Sequence, residues 1–185
     1  MSGEGEGRSV EDATRIRAYT WDDPMIGARA AQTMSGLEYL YAVQRGELPG
    51  APIAVTMGLD IVEIGEGRVV FSVEPAEYHY NPIGVVHGGL AATLFDSAMG
   101  CAVHSTLPAG ASYTTLELKV NFLRPLTRDT GRVRCEGTTI YVGGRVATAE
   151  VRLFDAAGTL YGHATTTCMI FRNGAAAPRT RQQDG

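Results

Sequence analysis

The sequence predicts an α+β fold in which a curved antiparallel sheet of about six strands surrounds one long central helix. A length of 185 residues, 44% of them hydrophobic, suits one domain with tails, because domains average ~150 residues. Residues 87–106 are apolar on nearly every side, which predicts a helix that is wrapped by other elements. Strand-like segments separated by short turns surround this helix in sequence, and short turns favour antiparallel pairing.

Composition and charge exclude several classes of function. The 16 Lys+Arg are scattered among 20 Asp+Glu, for a net charge of −4, whereas nucleic-acid binding needs clustered basic residues. Cys101, Cys135 and Cys168 form no CxxC pair, so we expect small buried side chains in a reducing compartment and no metal site. There is no apolar run long enough for a membrane span and no secretory signal. A cytoplasmic protein with no membrane or nucleic-acid partner is predicted.

The N-terminal quarter is predicted to lie outside the main domain. Residues 1–26 begin with alternating Gly and Glu, which favours a flexible tail. Residues 27–50 are predicted to be a helical extension, with one helix over residues 24–45 that ends at Gly46 and Pro49. The apolar residues at helical spacing are Leu37, Leu40, Tyr41 and Val43.

The main domain is predicted to span residues 51–172, followed by a flexible tail over residues 173–185. Residues 53–63 and 68–73 are strand-like and flank Gly65-Glu66-Gly67, whose glycines can supply the positive φ of a hairpin turn. The other predicted strands cover residues 112–123, 131–141, 145–154 and 160–171. The turns between the last three are short.

The central helix carries one unexpected charge. Its small residues allow strand backbones to approach closely; they are Ala91, Ala92, Ala98, Gly100 and Ala102. Asp96 lies in the middle of this helix with no Lys or Arg within one turn, and a buried unpaired carboxylate costs several kcal/mol. Either a strand residue such as Arg124 or Lys119 neutralises it, or it faces a wet groove, or it is a functional acid.

The loop before the helix ends in His87-Gly88-Gly89. Free N–H groups at a helix start can bind a carbonyl oxygen or oxyanion, although these residues could also serve only to turn the chain. Asp96 lies eight residues beyond Gly88, about 12 Å along the axis at 1.5 Å per residue. A reacting carbonyl cannot touch both groups in one chain. If both serve one site, a second chain must supply one of them across a two-fold axis.

The motifs that follow one another here resemble those of hotdog-fold acyl-CoA thioesterases of the phenylacetate-pathway (PaaI-like) group. They are Asn81-Pro82-Ile83-Gly84-x-x-His87-Gly88-Gly89, then Leu94-Phe95-Asp96, then residues 115–125, TLELKVNFLRP. The resemblance runs over residues 55–171 and leaves residues 1–50 unexplained. It implies a thioester hydrolase that uses no cofactor and no metal. It also implies an acyl-CoA substrate and a homodimer, with a tetramer of two dimers left open.

The resemblance also implies roles for individual residues. Asp96 would act as nucleophile or as general base for water, and the Gly88 N–H would polarise the thioester carbonyl. Asn81 would hold the water or orient the carboxylate. Thr115, with Thr114 as second choice, would bind the water from the facing strand. His87 would orient the loop or hydrogen bond on the carbonyl side.

Two other functions stay open from the sequence. One is a hotdog hydratase or dehydratase, with His87 and Asp96 as acid and base; the other is a non-catalytic acyl-CoA-binding regulatory protein. The candidates for an acyl pocket are Phe95, Met99, Tyr78, Tyr80 and Phe122. The candidates for contacts with coenzyme A phosphates are Arg124, Arg145 and Arg172.

Overall fold

The computed structural model describes residues 14–172. Residues 1–13 and 173–185, which belong to the two predicted tails, lie outside the described residues. The helices are α1 (Pro24–Ala30), α2 (Gly36–Gln44), α3 (Pro52–Met57) and α4 (Gly88–His104). The strands are β1 (Asp60–Gly65), β2 (Arg68–Val73), β3 (Ser112–Phe122), β4 (Val133–Val142), β5 (Val146–Phe154) and β6 (Leu160–Phe171). In this part of the chain, no helix has the length and apolarity needed to cross a membrane.

The strands form one antiparallel sheet around α4. Their order is β1-β2-β4-β5-β6-β3, and every neighbouring pair is antiparallel. Helix α4 contacts all strands from β2 to β6, and its side chains Leu94, Phe95 and Met99 are fully buried in the core. This is the helix-in-sheet arrangement of the hotdog fold, so the predicted α+β architecture is confirmed.

The close approach expected between helix and strands occurs where β4 crosses α4. A Cβ on Gly137 would lie 2.5 Å from the carbonyl oxygen of Ala98, closer than packed atoms tolerate. The Cys135 Sγ on the same strand donates to the Leu94 carbonyl oxygen at 3.7 Å. The glycine therefore sets how tightly the sheet closes on the helix.

Replacing Gly137 with alanine is expected to destabilise the domain by about 1–3 kcal/mol, the usual cost of overpacking a core. Urea unfolding followed by circular dichroism measures this change. The matched control is Gly144→Ala, because a Cβ at Gly144 would meet no atom within 4 Å. Equal unfolding midpoints for the two variants would contradict the close packing of β4 against α4.

The single helix predicted over residues 24–45 is wrong, because the structure has two helices there. Helix α1 ends at Ala30, and Ser35 starts α2 with a capping box. The Ser35 backbone N–H donates to the Glu38 carboxylate at 2.9 Å, and the Glu38 N–H donates to the Ser35 hydroxyl at 3.3 Å. This Ser-x-x-Glu pattern is visible in the sequence and marks a helix start. Helix α1 begins at Pro24, inside the segment predicted as a tail.

The strand predicted over residues 53–63 is also wrong in its first half. Pro52 opens α3, and Gly58 ends it in the left-handed conformation at φ 70, so the strand starts only at Asp60. Proline at a helix start and glycine just after its end are typical helix boundaries. In the following hairpin only Gly67 has positive φ, at 72, while Gly65 closes β1. The division of the chain into two tails, an extension and a domain stays a prediction.

Candidate active site

The Asp96 carboxylate lies on α4 and faces β3. It is half-buried, and its Oδ1 accepts a hydrogen bond from the Thr115 hydroxyl at 2.8 Å. Between residues 14 and 172 no basic side chain forms an ion pair with it; Arg124 instead donates to the Leu160 carbonyl oxygen at 2.6 Å. Neutralisation by Arg124 or Lys119 is therefore wrong, and the acid is held by a neutral hydroxyl.

A β-bulge brings Thr115 to this position. The register of β3 against β6 shifts between Thr115 and Glu117, which leaves Leu116 as the extra residue and more than half exposed. Bulges redirect side chains and often occur next to active sites. Here Thr115 lies opposite Cys168 of β6 and its hydroxyl reaches across to α4. Thr114, the second choice, is exposed.

His87 and the two glycines after it start α4. His87 is the N-cap, and its Nδ1 accepts a hydrogen bond from the Gly89 N–H at 2.8 Å. A Cβ on Gly89 would lie 2.8 Å from that nitrogen, so this cap needs glycine there. The Gly88 N–H has no acceptor among the described residues, as expected for the first residue of a helix. It is thus available to a ligand.

Asn81 holds the loop before this helix. Its Oδ1 accepts from the Ile83 N–H at 3.0 Å, and its own N–H donates to the Val85 carbonyl oxygen at 2.9 Å. An asparagine that bonds the backbone two residues on stabilises a turn. Within its own chain, Asn81 makes no hydrogen bond to Asp96 or Thr115 among the described contacts.

The acid and the free amide face two different hollows. Asp96 lines a cavity of about 440 Å³ between α4 and the N-terminal helices. Gly88 lines a groove of about 340 Å³, together with His87, Phe122 and Arg124. The two hollows share no lining residue. The structure thus agrees with the spacing argument that one chain does not bring Asp96 and Gly88 to the same carbonyl.

The thiol and phenol groups that line the Asp96 cavity are kept neutral. Burial, and next the charge of Asp96, raises the pKa of the Cys101 thiol to about 12, so this thiol is protonated at neutral pH. Burial also raises the pKa values of the Tyr39 and Tyr113 phenols. Cys101 is only half-buried, unlike Cys135 and Cys168, which are buried as expected. Residues 14–172 contain no group of three or more His, Cys, Asp or Glu that could hold a metal ion.

The predicted acyl-pocket residues are mostly placed elsewhere. Phe95 and Met99 are in the core, and Tyr78 is exposed beneath the Arg17 guanidinium, 4.0 Å from its ring centroid. The Tyr80 hydroxyl accepts from the Arg128 N–H at 2.9 Å, and Phe122 lines the groove beside Gly88. Their role in an acyl pocket stays a prediction, and Phe95 and Met99 take the core positions that are usual for such side chains.

No sequence motif marks the residues that face Asp96 across the cavity. They come from α2, α3 and the start of β1, and include Tyr39, Val43, Ile53 and Ile61. The signal was present, because Leu37, Leu40 and Val43 already mark an apolar helix face. What the sequence did not give is the element against which that face packs.

Of the three candidate arginines, Arg124 lines the Gly88 groove. It follows Phe122, which pairs with Gly162. Arg172 follows Phe171 at the opposite end of the same strand pair, where it donates to the Gly144 and Gly143 carbonyl oxygens. Arg145 lies near this second end, since its carbonyl oxygen accepts from the Ile170 N–H.

Fold and site together define a hotdog protein with an unpaired helix carboxylate and a glycine amide at a helix start. The sequence profile of the thioesterase superfamily matches residues 83–161. A protein of Halobacterium salinarum that is named an esterase is 33% identical over 108 residues, covering 56% of this chain and 70% of that protein. The 1,4-dihydroxy-2-naphthoyl-CoA hydrolase of Listeria monocytogenes is 25% identical over 100 residues, covering 54% of this chain and 80% of that enzyme.

Solved structures agree with this assignment. A crystal structure from Ralstonia eutropha, described as a thioesterase and phenylacetic acid degradation-related protein, superposes with a TM-score of 0.65. It is 32% identical, and the match covers 71% of this chain and 98% of that one. The chain therefore belongs to the thioesterase superfamily, as the motifs suggested, and it is a thioester hydrolase.

Replacing Thr115 with valine is expected to lower the turnover number about tenfold to a hundredfold. The variant keeps the shape of the side chain and removes a hydrogen bond to a charged group, which is worth about 1.5–3 kcal/mol. Thr115→Ser is the matched control, because it retains the hydroxyl and should retain most of the activity. Wild-type turnover in the valine variant would show that the contact with Asp96 has no part in hydrolysis.

Proposed function

We propose that this protein hydrolyses acyl-CoA thioesters and that Asp96 is its catalytic carboxylate. The observation that carries the proposal is the environment of Asp96, whose Oδ1 accepts one hydrogen bond, from Thr115 at 2.8 Å, and which opens onto a cavity. An ionised carboxylate without a cationic partner remains a competent base or nucleophile. Fixed by Thr115, it can act on water or on the carbonyl carbon.

Two groups carry out the proposed reaction, the Asp96 carboxylate and the Gly88 N–H. The thioester carbonyl oxygen accepts a hydrogen bond from the free Gly88 N–H, which stabilises the negative charge that develops during attack. Asp96 takes a proton from water as the water oxygen bonds to the carbonyl carbon. The C–S bond then breaks, and the thiolate recovers a proton, so that one acid and one thiol leave. If Asp96 attacks directly, water later cleaves the resulting anhydride to the same products.

The separation of the two hollows supports a site shared by two copies of this chain. In this arrangement Asp96 of one protomer faces Gly88 of the partner subunit across a two-fold axis, which forms two equivalent sites. Strand β3 is an edge of the sheet, eleven residues long, and an unpaired edge of this length is suited to pairing with another copy. Its side chains Leu118 and Val120 pack on the core but are only half-buried. We propose a homodimer on these grounds.

Coenzyme A is the proposed thiol carrier. The groove beside Gly88 contains Arg124, a cation suited to phosphate, next to the amide that would hold the carbonyl. The related Listeria monocytogenes enzyme is a CoA hydrolase by name. The hydratase alternative is less well supported, because the His87 Nδ1 already accepts from Gly89 and only the other ring nitrogen is left for proton transfer.

Incubation of the purified protein with a panel of acyl-CoAs tests the proposal. Release of free thiol, measured with a thiol-reactive chromophore, is expected together with the free acid. Formation of a hydrated acyl-CoA without thiol release would instead identify a hydratase. Tight binding of acyl-CoA with neither product would identify a binding protein, and either result would overturn the proposal.

A further inference from the structure

The wall that faces Asp96 across its cavity is built by the N-terminal helices. On the α4 side the cavity is lined by Asp96, Ser97 and Cys101, with Tyr113 of β3 beside them. The opposite side is formed by residues of α2, α3 and β1. All of these opposing residues precede residue 83, where the match to the thioesterase profile begins. The shape of this hollow is therefore set by a part of the chain that the family profile does not cover.

The size and chemistry of the cavity define what it can accept. An apolar cavity of about 150 Å³ is large enough for benzene, so about 440 Å³ accommodates more than one ring. The facing wall is mainly aliphatic, with Val43 and Ile53 among its residues. Two of its polar side chains are already engaged: the Gln44 Nε2 donates to the Ile61 carbonyl oxygen at 3.4 Å, and the Asp60 Oδ2 accepts from the Arg132 Nη1 at 3.0 Å. An anionic acyl group would meet aliphatic side chains and the carboxylates of Asp96 and Asp60.

Contacts from elsewhere in the chain hold this wall in place. The Arg17 guanidinium donates to the carbonyl oxygens of Thr56 and Val55 near the end of α3. The His79 Nε2 lies 3.1 Å from the Met57 carbonyl oxygen. On α2, the Tyr41 hydroxyl donates to the Ile64 carbonyl oxygen of β1 at 3.0 Å. Preorganised walls of this kind can discriminate between ligands by size.

We infer that α2 and α3 select the acyl group, with Val43 and Ile53 limiting its length, and that the cavity accepts uncharged, apolar acyl groups that can be larger than one aromatic ring. This inference rests on the proposed function, because it places the acyl group next to Asp96. Val43 and Ile53 are specificity-determining residues here and take no part in bond breaking.

The test compares kcat/KM over even-numbered acyl-CoAs from acetyl to dodecanoyl, with benzoyl-CoA added. Val43→Phe is expected to reduce kcat/KM for the longest good substrate at least tenfold, because each methylene that the ring displaces from the cavity costs about fourfold. The kcat/KM for butyryl-CoA should be nearly unchanged. Val43→Ala should shift the preference toward longer chains. Leu37→Phe is the matched control, because Leu37 lies on the same helix and does not line the cavity. The kcat/KM for pentanoyl-CoA should exceed that for glutaryl-CoA, which carries a terminal carboxylate on a chain of the same length, at least tenfold.

The outcomes separate this inference from the proposed function. An unchanged ratio of long to short substrates in both Val43 variants, or equal rates for glutaryl-CoA and pentanoyl-CoA, would overturn the inference while hydrolysis stands. Calorimetric binding of non-hydrolysable acyl thioethers of coenzyme A gives a second measurement. If the wild-type protein binds them with a length preference that Val43→Phe shortens, yet hydrolyses no thioester, the inference holds and the proposed function fails.

Discussion

Replacing Asp96 with asparagine is expected to lower the turnover number for acyl-CoA hydrolysis by about a thousandfold or more. Loss of a nucleophile or general base commonly costs this much or more. Asparagine has nearly the same shape, and its carbonyl oxygen can still accept the hydrogen bond from Thr115. The variant removes a negative charge from a position without a cationic partner, so the fold should be at least as stable as that of the wild type.

The measurement is single-turnover and steady-state thiol release, with circular dichroism and light scattering to check fold and assembly. Asp129→Asn is the matched control, because Asp129 is exposed on the surface, where its partner is Arg128 at 3.5 Å. It should behave as the wild type. An Asp96→Asn enzyme with more than a tenth of wild-type turnover would remove Asp96 from the mechanism and with it the proposed function.

Replacing Gly88 with proline is expected to reduce hydrolysis as strongly as Asp96→Asn does, while preserving helix α4. Gly88 is the first residue of α4, where proline is well tolerated because that N–H has no helical partner. The preceding residue, His87, has φ −64 and ψ 133, which suits a residue before proline. Gly88→Ala is the matched control, since it adds a Cβ at the same point, 3.0 Å from the Phe122 ring, and keeps the N–H.

Mixing the two inactive variants tests whether the site is shared. When Asp96→Asn and Gly88→Pro subunits are unfolded together and refolded at equal amounts, about half of the dimers are mixed, and each mixed dimer has one intact site of its two. About a quarter of wild-type activity should therefore return. If no activity returns, the acid and the amide act within one chain, and the proposed arrangement of the dimer is wrong.

The sequence was sufficient to predict the central helix and most of the sheet. Residues 87–106 could only be a wrapped helix, because almost every side chain there is apolar, and α4 occupies Gly88–His104. The segment predicted over residues 160–171 is β6 without change of boundary. Local pattern was enough for these elements, because a strand with one buried face alternates apolar and polar residues and a fully wrapped helix is apolar throughout.

Other features depend on contacts that no local pattern records. The pairing of Thr115 with Asp96 follows from a bulge at Leu116, and a one-residue shift of register depends on the neighbouring strand. Ile53 and Val55 favour a strand, whereas Pro52 and Gly58 fix the two ends of helix α3, so the apolar pattern alone predicts the wrong element there. The cavity wall formed by α2 and α3 arises from tertiary packing, so its residues could be listed as apolar but not assigned to the site.

If Asp96 and Gly88, which lie in separate hollows, meet across the proposed two-fold axis, each subunit contributes half of each of two catalytic units. A subunit that lacks only the acid would then still lend its amide to the neighbour's intact acid, so a mixed population keeps activity in proportion to its intact acids.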